Sequence, residues 1–115
     1  MSDVMRRMIE DRWPRVRAEA QAQTAWMREA IAMDVEGLAG ERTEARTVAH
    51  QLHGRLGMYG HHDASALAGA MESLLASAPA PTDAATRSAF ARELTALVEQ
   101  LDLVLATGTH LDAAE

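Results

Sequence analysis

The chain has 115 residues, no cysteine and a formal net charge of −6. That length allows one domain, spanning 1–115, with a real core, and the lack of cysteine excludes disulfides and thiolate chemistry. All basic residues are arginine, they form no basic block, and aromatics make up only 3%, which argues against nucleic-acid binding by charge or by base stacking.

Alanine, leucine, glutamate and arginine dominate, which favours helix, and no window alternates as a half-buried strand does. The first residues, MSDVMRRMIEDRW, carry charges every few positions and contain no apolar run long enough for a signal peptide. No segment has the length of apolar sequence that spans a membrane. The expected location is the cytoplasm. Ser2 or Asp3 suits the cap of a first helix with Val4, Met5, Met8 and Ile9 on one face. Pro14 is expected to end or kink that helix and is suited to open the next, because proline is favourable at a helix start. A second helical run covers about 15–33, with Trp13, Val16, Ala20, Met27 and Ile31 facing inward.

Gly37 and Gly40 mark a turn. A third helix is expected over 41–59, stopped by Gly60. Asp63 is the expected cap of a fourth helix that turns Leu67, Met71, Leu74 and Leu75 inward. The segment APAPTD breaks the pattern, and Thr82 or Asp83 starts the last helix. That helix carries Phe90, Leu94, Leu97, Val98, Leu101, Val104 and Leu105 at spacings of three and four, a single stripe. Gly108 should end it, with a loose tail from about residue 107. Amphipathic helices joined by short turns pack as bundles. The expected fold is all-α: an antiparallel four-helix bundle with an additional N-terminal helix.

The stretch AHQLHGRLGMYGHH, residues 49–62, holds four of the five histidines. Glycine inside a helix costs roughly 1 kcal/mol relative to alanine, yet Gly54 and Gly57 fall inside the helix expected over 41–59. At about 100° per residue, Ala45, Val48, Leu52, Leu56 and Tyr59 gather on one side, with Ala49 at the edge. His50, His53, Gly54 and Gly57 gather on the other side, roughly 150° away by the same count. His50 should therefore project into solvent within a clearing that admits a bulky partner. Gly57 has a second use, since glycine also permits close helix packing. Neutral imidazole, the predominant form around neutral pH, is a nucleophile able to carry a covalent group. No second catalytic group stands beside it, and there is no GxxxxGK phosphate loop for ATP. Transfer from a partner that brings the remaining machinery fits best. Arg46 and His53, about one turn to either side, could help neutralise an anion on His50, and Gln51 could orient the ring.

These residues resemble the signature of the histidine-containing phosphotransfer (HPt) domain family. That signature reads Ala-His-x-Leu-Lys-Gly, with a second glycine six residues after the first. Ala49, His50, Leu52, Gly54 and Gly60 match it. Downstream, Leu67 and Met71-Glu72 take the places of a leucine and a Leu-Glu-like pair, so the motif region covers about 45–75. The resemblance implies a helical bundle with one phosphorylatable histidine, His50, that takes a phosphoryl group from a receiver-domain aspartate and passes it to another receiver. It implies no kinase activity and no cofactor of its own, since the receiver supplies Mg2+. It implies response-regulator receivers as partners, with a hybrid sensor histidine kinase as a further one, and no membrane partner. Gly54 falls on the family's clearance glycine. The family's common lysine is His53 here, which turns attention to Arg46 as a substitute.

Other readings bear on the same residues. His50, His53, His61 and His62 suggest a metal cluster, but no cysteine or carboxylate completes a set and His61 lies past the helix stop. The methionines read as core filler, with Trp26 and Met58 as alternative partner contacts. A binding-only relative that carries no phosphate, or a purely structural helical module, would share the helical pattern. A shallow apolar surface near His50 is the expected receiver dock.

Overall fold

The computed structural model describes residues 2–33, 42–77 and 83–107. Those residues form four helices and no strand: α1 Asp3–Met33, α2 Arg42–Met58, α3 His62–Ser77 and α4 Ala84–Thr107. Gly37, Gly40, Thr82, Gly108 and the tail beyond residue 107 lie outside the described residues.

Local chemistry sets several of the helix ends. Ser2 caps α1, its hydroxyl accepting from the Met5 N–H at 3.1 Å. Asp83 caps α4, accepting from the Thr86 N–H at 2.8 Å. The Asp83 carboxyl is held below its usual range first by that backbone bond and next by the Thr86 hydroxyl. At the end of α2 the His61 N–H reaches back to the Leu56 carbonyl at 2.9 Å and the Gly60 N–H to the Gly57 carbonyl at 3.1 Å. This paired closure needs a left-handed residue, and Gly60 supplies it at φ 83°. The start of α3 differs from the expectation. The His61 carbonyl accepts the first helical bond, from the Ser65 N–H at 2.9 Å, so Asp63 lies within the first turn and is not the cap.

The N-terminal region also differs. The separate additional helix expected before Pro14 is the leading part of α1, which runs through Pro14 unbroken for 31 residues. Proline lacks the N–H that would bond the Glu10 carbonyl. Both Pro14 and Glu10 are exposed, so water can serve that carbonyl and the helix continues.

The core contains Met27 from α1, Leu52 and Leu56 from α2, Met71 from α3, and Leu94, Val98, Leu101 and Leu105 from α4. Each such side chain contributes roughly 1.5–3 kcal/mol of burial. The last helix buries the stripe its spacing predicts, with Leu97 and Val104 packed at its margin. Between α1 and α4, the fully buried Thr24 hydroxyl lies against the Asp102 carboxylate, which also pairs with Arg28. Between α2 and α3 the residues are small: Ala45, Ala49, Ala64 and Ala68 are all buried. These two helices make the most extensive contact in the molecule.

Trp13 stacks on His61 at 3.6 Å between ring centroids and lies 6.5 Å from the Tyr59 ring. This anchors α1 at the α2–α3 turn. Residues before Trp13 continue beyond that anchor, leaving Val4, Met5 and Met8 exposed.

Candidate functional site

His50 stands on α2 between the buried Ala49 and Leu52, which fix the helix face. Its side chain is 73% exposed. Its Nδ1 lies 2.8 Å from Glu72 Oε2 on α3. An ionised carboxylate can only accept hydrogen bonds. In neutral His50 the proton of this contact therefore sits on Nδ1, and the lone pair is left on Nε2. The second oxygen of Glu72 serves His53, whose Nδ1 is 3.4 Å from Oε1. The Glu72 carboxyl is held below its usual range, first by the His50 hydrogen bond; burial opposes this in part, and the His53 hydrogen bond adds a lesser lowering.

The two glycines of α2 separate. Gly54 has no atom within 4 Å of the place a Cβ would occupy and lies open one turn after His50. Gly57 does not share that clearing: a Cβ there would meet Ser65 Oγ at 3.1 Å. The Ser65 hydroxyl in turn donates to the His53 carbonyl at 2.8 Å. Gly57 therefore serves the close approach of α3, the second use noted for it above. Arg46 is exposed one turn before His50.

Gln51 does not reach the His50 ring. It turns to α1 and accepts from Gln23 at 3.2 Å; the ring-orienting contact expected of it is made by Glu72. His62 is exposed in the first turn of α3, whereas His61 is 5% exposed beneath Trp13. The turn histidines thus stand apart from His50. Among the described residues no group of three or more His, Asp or Glu side chains could hold a metal ion. Met58, read as core filler, is 74% exposed, while Trp26 packs on the core.

Glu72 and Gly69 are the site residues that the helical count of α2 could not find. They lie on another helix. A signal was nevertheless available: α2 and α3 fold back about His61, so residues equally distant from it meet. His50 faces Glu72, His53 faces Gly69, and Gly57 faces Ser65.

The site is thus an exposed imidazole held at Nδ1 by a carboxylate on an all-helical scaffold. The family model for the Hpt domain matches residues 9–106, and the chain belongs to that family. At the family level these domains are carriers in histidine phosphotransfer, not kinases, and they interact with receiver domains of response regulators. No match was found among curated proteins or among solved structures. No described helix is long and apolar enough to cross a membrane.

Proposed function

We propose that this chain is a phosphorelay intermediate in which His50 carries the phosphoryl group. The neutral Nε2 lone pair attacks the phosphorus of a receiver's aspartyl phosphate. The N–P bond forms as the aspartyl O–P bond breaks, and the carboxylate leaves with its electron pair. The reverse reaction, toward another receiver, uses the same geometry. Mg2+ and the acidic pocket belong to the receiver, and the setting is cytoplasmic. The observation that carries this reading is the 2.8 Å contact of His50 Nδ1 with Glu72, which directs the reactive nitrogen outward beside the open backbone of Gly54. Arg46 and His53 flank the position of the incoming phosphate.

The pairing of residues equidistant from His61 supports an antiparallel α2–α3 arrangement. The Gln23–Gln51 and Glu19–Arg55 contacts, the latter at 3.2 Å, support the same for α1 and α2. Met5, Met8, Ile9, Met58 and Tyr59, with Arg12, line a shallow and mainly apolar groove of about 180 Å³. Met58 lies eight residues after His50 on α2, about 12 Å along the axis at 1.5 Å per residue. This surface is the proposed receiver dock, including for the receiver of a hybrid sensor histidine kinase.

The test is phosphoryl transfer from phosphorylated receivers of the same organism. The expected product is an acid-labile, base-stable label on wild type and none on His50→Gln. No label from any receiver would overturn the carrier reading, and binding without transfer would favour a binding-only module. Full labelling of His50→Gln would show that another residue is the acceptor.

A further inference from the structure

The Hpt reading gives His53 only a place beside the incoming phosphate, and gives no role to the glycine opposite it. The structure places them together. A Cβ on Gly69 would lie 3.2 Å from His53 Cε1 and 3.3 Å from both ring nitrogens. The imidazole therefore lies against bare backbone of α3, closer than it could sit to a Cβ without shifting by a few tenths of an ångström. In that position its Nδ1 points to Glu72, one turn further along α3, and sits 3.4 Å from Oε1 while His50 holds Oε2.

We propose that His53 is a positioning residue for the phosphoacceptor and that Gly69 is the cradle that lets it act. This rests on His50 being the acceptor. A glutamate on a helix surface has several rotamers and competes with water for its partners. Attached at one oxygen, Glu72 can rotate away from His50. Attached at both, its carboxylate plane is fixed and Oε2 stays on His50 Nδ1. That contact sets the ring tautomer, and the tautomer decides whether Nε2 has a lone pair to attack with. A solvated imidazole favours the proton on Nε2, so the fraction of His50 protonated on Nδ1 reports how firmly Glu72 is held. In this role His53 acts on the reaction through Glu72.

Three substitutions separate this role from mere space filling. His53→Leu retains bulk and removes the donor. Gly69→Ala leaves His53 chemically intact but displaces its ring, the end of a half-exposed side chain that can swing outward. His53→Asn places an amide nitrogen one bond from Cγ, where Nδ1 stood, and restores a donor. The measurements are the 15N ring shifts of His50 at mildly alkaline pH, which give its tautomer, and the initial rate of label uptake from a phosphorylated receiver. His53→Leu and Gly69→Ala are expected to lower the Nδ1–H fraction of His50 and slow uptake about two- to tenfold, the weight of one hydrogen bond. His53→Asn should keep both near wild type. The proposal is overturned if His53→Leu leaves the His50 tautomer unchanged, or if Asn is as damaging as Leu. It is also overturned if His50→Gln carries label on His53, which would make residue 53 an acceptor. The tautomer is read without phosphate, so failure of wild type to take label would sink the carrier reading while leaving the positioning claim to be judged by NMR.

Discussion

The α2–α3 pair and the α1–α4 pair solve the same packing problem with different residues. Between α2 and α3, alanines, Gly57 and Gly69 bring two backbones close. Between α1 and α4, Met27 and the leucines of α4 contribute the bulk, and a polar clasp of buried Thr24, partly buried Asp102 and exposed Arg28 joins the helices. Close backbones let short side chains communicate, so a carboxylate on α3 can hold an imidazole on α2. The α1–α4 pair contributes bulky side chains to the core, and its helix α1 extends apolar residues past the α2–α3 turn. Site and scaffold are thus divided between the two pairs.

Substitutions in the two pairs should break that division in distinct ways. Leu52→Ala removes a fully buried side chain facing the common core and should cost about 2–5 kcal/mol of unfolding free energy. Thr24→Val keeps the volume of the α1–α4 clasp but removes its hydroxyl, and should cost about 1 kcal/mol. Urea unfolding measures both. Equal losses would mean that the clasp is as important as the core.

The glycines of α2 sharpen the comparison. Gly54→Ala adds a methyl to open space and should stabilise the helix by up to about 1 kcal/mol, while slowing transfer from a receiver. Gly57→Ala pushes against Ser65. It should lose that propensity gain, because overpacking disturbs the α2–α3 contact. Paired melting and transfer measurements decide this: a Gly54→Ala variant that is stabler and transfers at the wild-type rate would remove the case for a clearing.

The smallest effect is acid sensitivity. Hydrogen bonds from His50, and less from His53, depress the Glu72 carboxyl in the folded protein. A depressed carboxyl contributes its full stability above its unfolded pKa and loses it as pH falls through the lower folded value. Glu72→Gln should therefore lose less stability than wild type over that acidic interval, as followed by denaturation midpoints at successive pH values. Parallel curves would mean that Glu72 is not held by the two imidazoles.

Sequence periodicity was sufficient for features that depend on one helix at a time. The stripe of α4, the caps at Ser2 and Asp83, the stop at Gly60 and the outward direction of His50 all follow from residue type and helical pitch. Pro14 misled because its penalty depends on whether water can reach the Glu10 carbonyl, a question of exposure rather than of residue type. The burial of His61 is likewise a tertiary matter: its ring is covered by Trp13, from forty-eight residues earlier in the chain.

By itself, then, the sequence determined an all-helical protein with His50 presented outward, because helical pitch converts spacing directly into direction. Only the tertiary structure decided that Glu72 holds His50, that Gln51 turns instead to α1, and that Gly57 and Gly69 serve the α2–α3 approach while Gly54 stays open. Those assignments depend on which residues of separate helices come opposite one another. That register is set by the closure at Gly60 and the packing of buried side chains, interactions that no single helical wheel contains.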